Sequence, residues 1–376
     1  MMKQQVNTLR IISTIIILII LFPDAKDAFL DITSSAESLS DFTPEELQDD
    51  YAWISEMDNS PDGRYVAVLS FPDSPIVLRE KGGTKYLVDD KTSSMSELKF
   101  SSDSNYLLIA SNEYNPTKKD FDNSYLTLYN VTNKSIIRTH EMENNYISEM
   151  AFSPDGRYYA SPYRNGDDSG KCAVNIWSVD SGEIIQSITS ENYQAQALTF
   201  TQDSKYLVVS YTGSGHSSSN TMFYDIGSGD SYRTLNQIYA FELQFSNDGN
   251  ILAGYNGNGK GLLVWDTGTY KTIAKFTDIS APNDMSLSSD GKYLMAIDDY
   301  ALMIWDISTK KQILRTKVNN LDYADRFYTA EFSADGQQIL IGLKVSEDSI
   351  YSMNSRAHSG RIFAYNFTEI VESYYA

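Results

Sequence analysis

Five acidic residues occur at one fixed position ahead of a short motif that recurs along the chain. The motif begins with Ser or Thr and has Asp two positions later. Each acid lies three residues before the Phe, Leu or Asn that precedes the motif. The five acids are Glu56, Glu97, Glu149, Glu242 and Asp284, and the two remaining copies carry Ala197 and Thr329. On the innermost strands of a ring, these carboxylates would lie at one height around the axis.

Such an acidic ring has two interpretations. The carboxylates bind a cation or a basic ligand, or each one accepts hydrogen bonds from the backbone of the neighbouring unit. We expect the second, structural role. A single Glu149→Gln change would then destabilise the fold by about 1 to 3 kcal/mol, with no dependence on calcium.

Other residues with chemical potential are few and scattered. The string from Gly213 to Ser217 lacks the strand-to-helix pattern of a nucleophile elbow. The glycine-rich run from Asn256 to Gly261 has no helix after it, so it predicts a turn rather than a phosphate site. One cysteine, Cys172, and three histidines in separate repeats indicate no ligand set. We therefore expect no catalytic residues, no metal site and no cofactor.

An internal repeat places these acids. Residues 53–65 (WISEMDNSPDGRY) and 146–158 (YISEMAFSPDGRY) match at ten of thirteen positions. The period of the repeat, about 40 to 50 residues, is that of a four-stranded propeller blade. Each motif also has the chemistry of a type I turn between two strands. The seven motif aspartates are Asp62, Asp103, Asp155, Asp203, Asp248, Asp290 and Asp335.

A second marker follows the turn motif in six of the seven units: an aliphatic residue, an aromatic residue and a small polar or acidic residue. Its copies are Leu128-Tyr129-Asn130, Ile176-Trp177-Ser178, Phe223-Tyr224-Asp225, Val264-Trp265-Asp266, Ile304-Trp305-Asp306 and Ala364-Tyr365-Asn366. The two markers together resemble the WD-repeat family over about residues 51–376, although the Gly-His pair that opens the family's repeats is missing. The resemblance implies an all-β fold, a seven-bladed β-propeller of four-stranded antiparallel blades.

Two ways of closing the ring are open. The seventh unit supplies its own outer strand from Glu369 to Tyr375, or a segment within residues 28–50 supplies that strand. Either arrangement pairs an edge that would otherwise be exposed. We expect the chain to complete its own seventh blade, with residues 26–50 as a leader packed outside.

The connections between strands differ in length on the two faces of the predicted propeller. Those between the second and third strands vary most, and they emerge on one face, here called the long-loop face. Variable loops on a rigid scaffold commonly carry recognition, and Tyr and Arg are typical interface anchors. The predicted binding residues there are Tyr114, Tyr163, Arg164, Asp167, Asp168, Tyr255, Tyr300, Tyr351 and Arg356.

The N-terminus predicts export. Lys3 and Arg10 precede an apolar stretch from Ile11 to Phe22. As a helix this stretch rises about 18 Å, short of the roughly 30 Å hydrocarbon core of a bilayer. Residues 1–25 therefore predict a signal peptide, or an uncleaved anchor that would be the chain's one membrane contact, and a secreted or extracytoplasmic location. The net charge of −20 argues against a nucleic-acid partner.

Together these observations predict an exported, non-enzymatic propeller that binds a protein or peptide through its long-loop face. The alternative is an exported propeller enzyme, such as a lyase, hydrolase or lactonase, with a metal-assisted site at the channel mouth.

Overall fold

A computed structural model describes residues 45–376 with short interruptions. The residues left out within that span are 52–53, 71–75, 90–94, 116, 119, 144, 148, 165–171, 191–192, 214–219, 237–239, 257–260, 280–281, 299–300, 318–325 and 347–357. The expectations for residues 1–25 and for most of residues 26–50 lie outside the described residues. Within the described part, no helix is long and apolar enough to cross a membrane.

The strands form seven four-stranded antiparallel sheets, which confirms the predicted all-β, seven-bladed propeller. The first strand of the chain, β1 (Glu45–Tyr51), belongs to the last blade. Blades 1 to 3 consist of β2 (Ile54–Asn59), β3 (Tyr65–Ser70), β4 (Ile76–Glu80) and β5 (Lys85–Asp89); of β6 (Met95–Phe100), β7 (Tyr106–Asn115), β8 (Asp120–Asn130) and β9 (Ser135–Glu143); and of β10 (Ala151–Phe152), β11 (Tyr158–Arg164), β12 (Cys172–Ser178) and β13 (Ile184–Ser190).

The remaining blades follow the same order. Blades 4 and 5 consist of β14 (Tyr193–Phe200), β15 (Tyr206–Gly213), β16 (Asn220–Asp225) and β17 (Ser231–Asn236); and of β18 (Ala240–Phe245), β19 (Ile251–Asn256), β20 (Gly261–Asp266) and β21 (Lys271–Phe276). Blades 6 and 7 consist of β22 (Asp284–Leu287), β23 (Tyr293–Ile297), β24 (Ala301–Asp306) and β25 (Lys311–Lys317); and of β26 (Arg326–Phe332), β27 (Gln338–Ser346), β28 (His358–Asn366) and β1.

The innermost strands enclose a central channel. Contacts run in order through β2, β6, β10, β14, β18, β22 and β26, and β26 returns to β2. Each of these strands is the first of its blade, so the position ahead of the turn motif recurs around the channel.

The turn motif joins the first two strands of every blade through the same hydrogen bonds. In blade 3, the Ser153 hydroxyl donates to Asp155 Oδ1 (2.7 Å), and the Arg157 N–H donates to the same oxygen (3.1 Å). The Tyr158 N–H then donates to Ser153 Oγ (2.9 Å). The hydroxyl-to-aspartate bond is present in all seven turns, at 2.6 to 2.8 Å. The aspartates therefore stabilise the turn that follows the innermost strand of each blade.

Two turns carry serine where the others carry glycine in the left-handed region. Ser104 and Ser204 adopt φ of 61° and 56°, close to the 71° of Gly156. Each serine hydroxyl accepts a hydrogen bond from the turn of the preceding blade, at the N–H of Asp62 and of Asp155, both at 3.0 Å. The bond between blades offsets the backbone strain that a side chain incurs in this region.

The hydrophobic core lies between neighbouring blades, where five of the six aromatic marker residues are buried and Tyr365 is half-buried. Trp305 of blade 6 stacks on Phe276 of blade 5, with ring centroids 5.1 Å apart. Trp177 stacks on Tyr159 within blade 3 at 5.5 Å, and His140 of blade 2 hydrogen-bonds to the Tyr159 hydroxyl through Nε2 (2.7 Å). The stacking of Trp305 on Phe276 and the bond between His140 and Tyr159 join successive blades.

The expected mode of ring closure is wrong. The outer strand of blade 7 is β1, which pairs antiparallel with β28. The segment predicted as that strand instead forms helix α1 (Phe367–Tyr375). Asn366 caps the helix by accepting from the Glu369 N–H (3.2 Å), and Phe367 and Ile370 are buried on one helical face. The capping residue and the spacing of the apolar side chains favour a helix over a strand.

Candidate functional site

The channel between the innermost strands holds a cavity of about 550 Å³. Because side chains alternate along a strand, the inner strands present two tiers of residues to it. The first tier is the predicted acidic ring of Glu56, Glu97, Glu149, Glu242 and Asp284, and all five are half-buried and line the cavity. The second tier lies two residues nearer the turns and consists of Asp58, Lys99, Ala151, Thr199, Gln244, Ser286 and Glu331.

The ring carboxylates lie close enough to one another for the charge of one to change the pKa of the others. Burial raises the pKa of Glu56, Glu97 and Glu242 well above the ordinary value, and the neighbouring ring carboxylates raise each pKa further. Burial also raises the pKa of Glu149 to about 7, against the opposing effects of Lys99 and of the Met150 N–H. The ring therefore takes up protons at a higher pH than isolated carboxylates do.

The bond between blades that we expected of every ring acid occurs in one place among the described residues. Asp284 accepts from the Ala330 N–H of blade 7 (2.9 Å). Glu149 instead accepts from the N–H of its own neighbour, Met150 (3.2 Å). The ring thus faces the channel more than it ties the blades.

Bonds between blades are more frequent in the second tier. Asp58 accepts from the Phe100 N–H (2.5 Å), Gln244 from the Leu287 N–H (2.7 Å), Ser286 from the Phe332 N–H (3.1 Å), and Glu331 from the Asn59 N–H (3.1 Å). In each case the donor belongs to the next blade around the ring. Sequence reasoning missed this tier, although a polar residue two positions after the acidic one is the signal that a period of two provides.

Lys99 is the one cation among the described residues that line the cavity. Its ammonium lies 3.8 Å from Asp58 Oδ1 and remains half-exposed. Asp58, Glu331, Glu149 and Glu242 raise the pKa of Lys99, against the opposing effect of burial. The lysine therefore stays charged and partly compensates both tiers.

The described residues contain no group of three or more His, Cys, Asp or Glu side chains close enough to hold a metal ion. Of the histidines, His140 lies in the contact between blades 2 and 3, whereas His216 and the side chain of His358 lie outside the described residues. Cys172, the one cysteine of the sequence, is buried. The described residues therefore offer no set of metal ligands for the alternative of a metal-assisted enzyme.

The predicted residues of the long-loop face are only partly described. Tyr163, the last residue but one of β11, is half-buried against the core between blades 2 and 3. Tyr255 is buried, and its ring stacks on Phe241 at 5.8 Å. Phe241, which sequence reasoning missed, is 45% exposed. The side chains of Tyr114 and Arg164, and residues Asp167, Asp168, Tyr300, Tyr351 and Arg356, lie outside the described residues.

No protein-family model matches this sequence, and no curated protein matches it. Solved structures do match the fold. One chain in a crystal structure of the mitotic checkpoint complex superposes with a TM-score of 0.61 at 14% identity, covering 84% of this chain and 88% of that one.

A second match is the β-propeller domain of Cps50 (Swd1) from Myceliophteria thermophila. It superposes with a TM-score of 0.64 at 11% identity, covering 86% of this chain and 99% of that one. At these identities the likeness concerns the fold alone, a seven-bladed β-propeller of WD-repeat type.

Proposed function

We propose that this chain is an exported, non-enzymatic scaffold that binds a protein or peptide through its long-loop face. The observation that carries the proposal is the difference between the two faces. Every turn between the first and second strands holds five residues, from 60–64 in blade 1 to 333–337 in blade 7. The connections between the second and third strands range from three residues (298–300) to eleven (347–357).

In such a ring the uniform face contributes to stability, and the variable face is available for binding. The uniform turns are occupied by hydrogen bonds that hold the blades, as described for Ser153 and Asp155. The variable connections are free to differ without disturbing the blades, and such loops commonly carry binding residues. The matched chain from the mitotic checkpoint complex belongs to a protein assembly, which supports protein as the class of partner.

Two described aromatic residues are the best anchors on this face. Phe241 is 45% exposed and is held by its stacking on buried Tyr255, and Tyr163 is half-buried near the end of β11. A rigid, partly exposed aromatic ring loses little conformational freedom on binding. Tyr255 then supports the anchor rather than contacting the partner.

The binding test uses the chain without residues 1–25 as bait on cells of its source. We expect Phe241→Ala with Tyr163→Ala to abolish capture of the partner while the protein stays folded and unfolds in one cooperative thermal transition, although the lost packing lowers its melting temperature. The control is Tyr232→Ala, which removes a 58% exposed aromatic side chain from the outer strand of blade 4. Retention of the partner by the double variant, or its loss from the control, would remove the long-loop face from the proposal.

Export is tested separately, by N-terminal sequencing of the protein recovered outside the cytoplasm. A mature N-terminus near Ala25 or Ala28 would establish a cleaved signal peptide. An intact N-terminus in the membrane fraction would establish the anchor instead. Accumulation of the full chain in the cytoplasm would contradict the export part of the proposal and leave the binding part unaffected.

A further inference from the structure

The outer strands of the blades differ in charge. Each blade ends in a strand with one unpaired edge, and such edges are templates for pairing with another chain unless charged residues protect them. Six of the seven outer strands carry at least one charged side chain. The exception is β13, with the sequence IIQSITS. This count concerns the seven outer strands that the structure describes.

Exposed isoleucines add to the contrast at β13. Ile184 is 52% exposed and Ile185 is 42% exposed, and the neighbouring outer strand, β9, exposes Ile136 (50%) and Ile137 (41%). These four residues are half of the large hydrophobic side chains that stand exposed on the described surface. Arg138 joins the two blades there by donating from its guanidinium to the Asp180 carbonyl (2.9 Å). The outer rim of blades 2 and 3 therefore combines a free strand edge with apolar surface.

We propose that β13 is a homodimer interface, at which two copies of this chain pair their β13 strands antiparallel across a twofold axis. A twofold through Ser187 would place Ile185 opposite Thr189, and Gln186 opposite Ile188, of the second copy. Every cross-strand pair is then uncharged. Most homo-oligomers use such isologous contacts, in which one patch complements itself.

Charge favours a second copy at this strand over the other edges. The chain carries a net charge of −20, so two copies repel each other over most of their surfaces. Within residues 184–190 the β13 strand is a neutral strip, so no like charges oppose each other between the paired strands there. An added strand of this length buries less than the roughly 1,200 Å² of a stable interface, so we expect a weak dimer.

The test is sedimentation velocity over a concentration series that ends near 1 mM, since small interfaces bind weakly. The wild-type chain without residues 1–25 is expected to shift from monomer to dimer. Ile185→Lys with Thr189→Lys is expected to remain monomeric at every concentration. In the proposed register each lysine faces a lysine of the other copy, whereas the net charge of each copy becomes less negative. Loss of the dimer would therefore reflect the strand edge and not general repulsion.

The lysines are compatible with the fold, because the positions equivalent to Thr189 in blades 2 and 6 are Glu141 and Lys317. The matched control is Tyr232→Lys with Thr234→Lys on β17, an exposed outer strand that we expect to take no part. If the β13 variant were to unfold, hydrogen exchange of the wild type would serve instead, with protection at residues 184–190 rising with concentration and that at β17 constant.

Three results would overturn the proposal. They are a wild-type chain that stays monomeric throughout the series, a β13 variant that dimerises as well as the wild type, and a β17 control that loses the dimer equally.

Discussion

Carboxylates in the turns and carboxylates in the channel have opposite relations to the fold. Asp155 in a turn accepts hydrogen bonds from Ser153 and from Arg157, and although burial alone would raise its pKa, these bonds hold the pKa below the ordinary value. Glu149 in the channel has one backbone donor, and burial raises its pKa to about 7. In the channel burial outweighs the donors, because even Asp284, which accepts from the Met285 and Ala330 N–H groups, has a raised pKa. In the more exposed turns the donors outweigh burial, so the balance between burial and donors decides whether a carboxylate's charge stabilises or destabilises this protein.

The sign of the pH dependence follows from the direction of each shift. A turn aspartate with a lowered folded pKa contributes stability above its unfolded pKa of about 3.9, and that stability is lost as the pH falls through the folded pKa. A channel glutamate with a raised folded pKa contributes stability below about pH 4.3, and that stability is lost as the pH rises through the folded pKa. Lowering the pH therefore removes the stability that the turn aspartates contribute and relieves the destabilisation caused by the charged channel glutamates.

The largest effect is expected at Lys99. Lys99→Met removes the cation that lies 3.8 Å from Asp58 and leaves the channel carboxylates uncompensated. We expect the free energy of unfolding at pH 8 to fall by about 2 to 3 kcal/mol, below the range for a fully buried pair because Lys99 is half-exposed. The loss should shrink at pH 5 as the carboxylates take up protons.

Chemical denaturation at the two pH values measures this change. Lys205→Met is the control, because Lys205 forms an exposed ion pair with Asp203 (3.6 Å), which contributes little. Equal losses for the two variants would contradict the special role of the channel lysine.

A turn aspartate is expected to rank second. Asp155→Ala removes the acceptor for Ser153 and Arg157 and should lower the free energy of unfolding by about 1 to 2 kcal/mol at pH 7. The difference from the wild type should vanish below the lowered folded pKa, where the wild-type carboxyl is itself protonated. Thermal unfolding at pH 7 and near pH 2 measures both. Asp230→Ala, at an exposed turn position, is the control, and a loss of the same size there would show a general charge effect.

Glu149→Gln is expected to have a smaller effect of opposite sign. Glutamine resembles the protonated acid, so the variant should be more stable than the wild type by about 1 kcal/mol at pH 8 and equal to it near pH 4. This reverses the destabilisation expected from a bond to the next blade, which Glu149 lacks because its partner is Met150. The measurement is a pH series of unfolding midpoints with exposed Glu141→Gln as control. Destabilisation at pH 8 would restore the earlier expectation.

The smallest effect is expected from calcium. Without three acidic ligands close together in the described part of the chain, millimolar Ca²⁺ should move the melting temperature by less than about 1 °C relative to EDTA. Magnesium at equal ionic strength is the control for screening. A rise of several degrees that is specific to calcium would identify a cation site and move the channel towards the enzyme alternative.

Much of the fold was predictable because its information is local and repeated. The turn motif around Asp155 and the marker at Trp177 each lie within a single hairpin. The seven copies of the turn motif therefore indicate seven blades and the inward position of Glu149. The bonds of the second tier join different blades, as Asp58 does with Phe100, and the motif does not record them. The exposure of Phe241 likewise depends on its packing against Tyr255, from the next strand of the blade.

Ring closure depends on the least local information. The helical spacing of Phe367 and Ile370 and the cap at Asn366 were present in the sequence, but the repeat suggested a fourth strand at that place. The strand that fills the place is β1, and it lies outside the repeat pattern. A repeat predicts its own copies well and its termini poorly.

The pairing of β1 with β28 has a consequence for how the ring assembles in time. Residue 45 pairs with residue 364, so this contact closes a loop that spans nearly the whole described chain, whereas each other blade forms from neighbouring hairpins. Loop-closure entropy makes such a contact slow relative to local ones. During synthesis, six blades have all of their strands available before β28 exists, and the seventh becomes complete only when the earliest strand meets nearly the last. The folding rate of this protein is therefore expected to be set by that encounter.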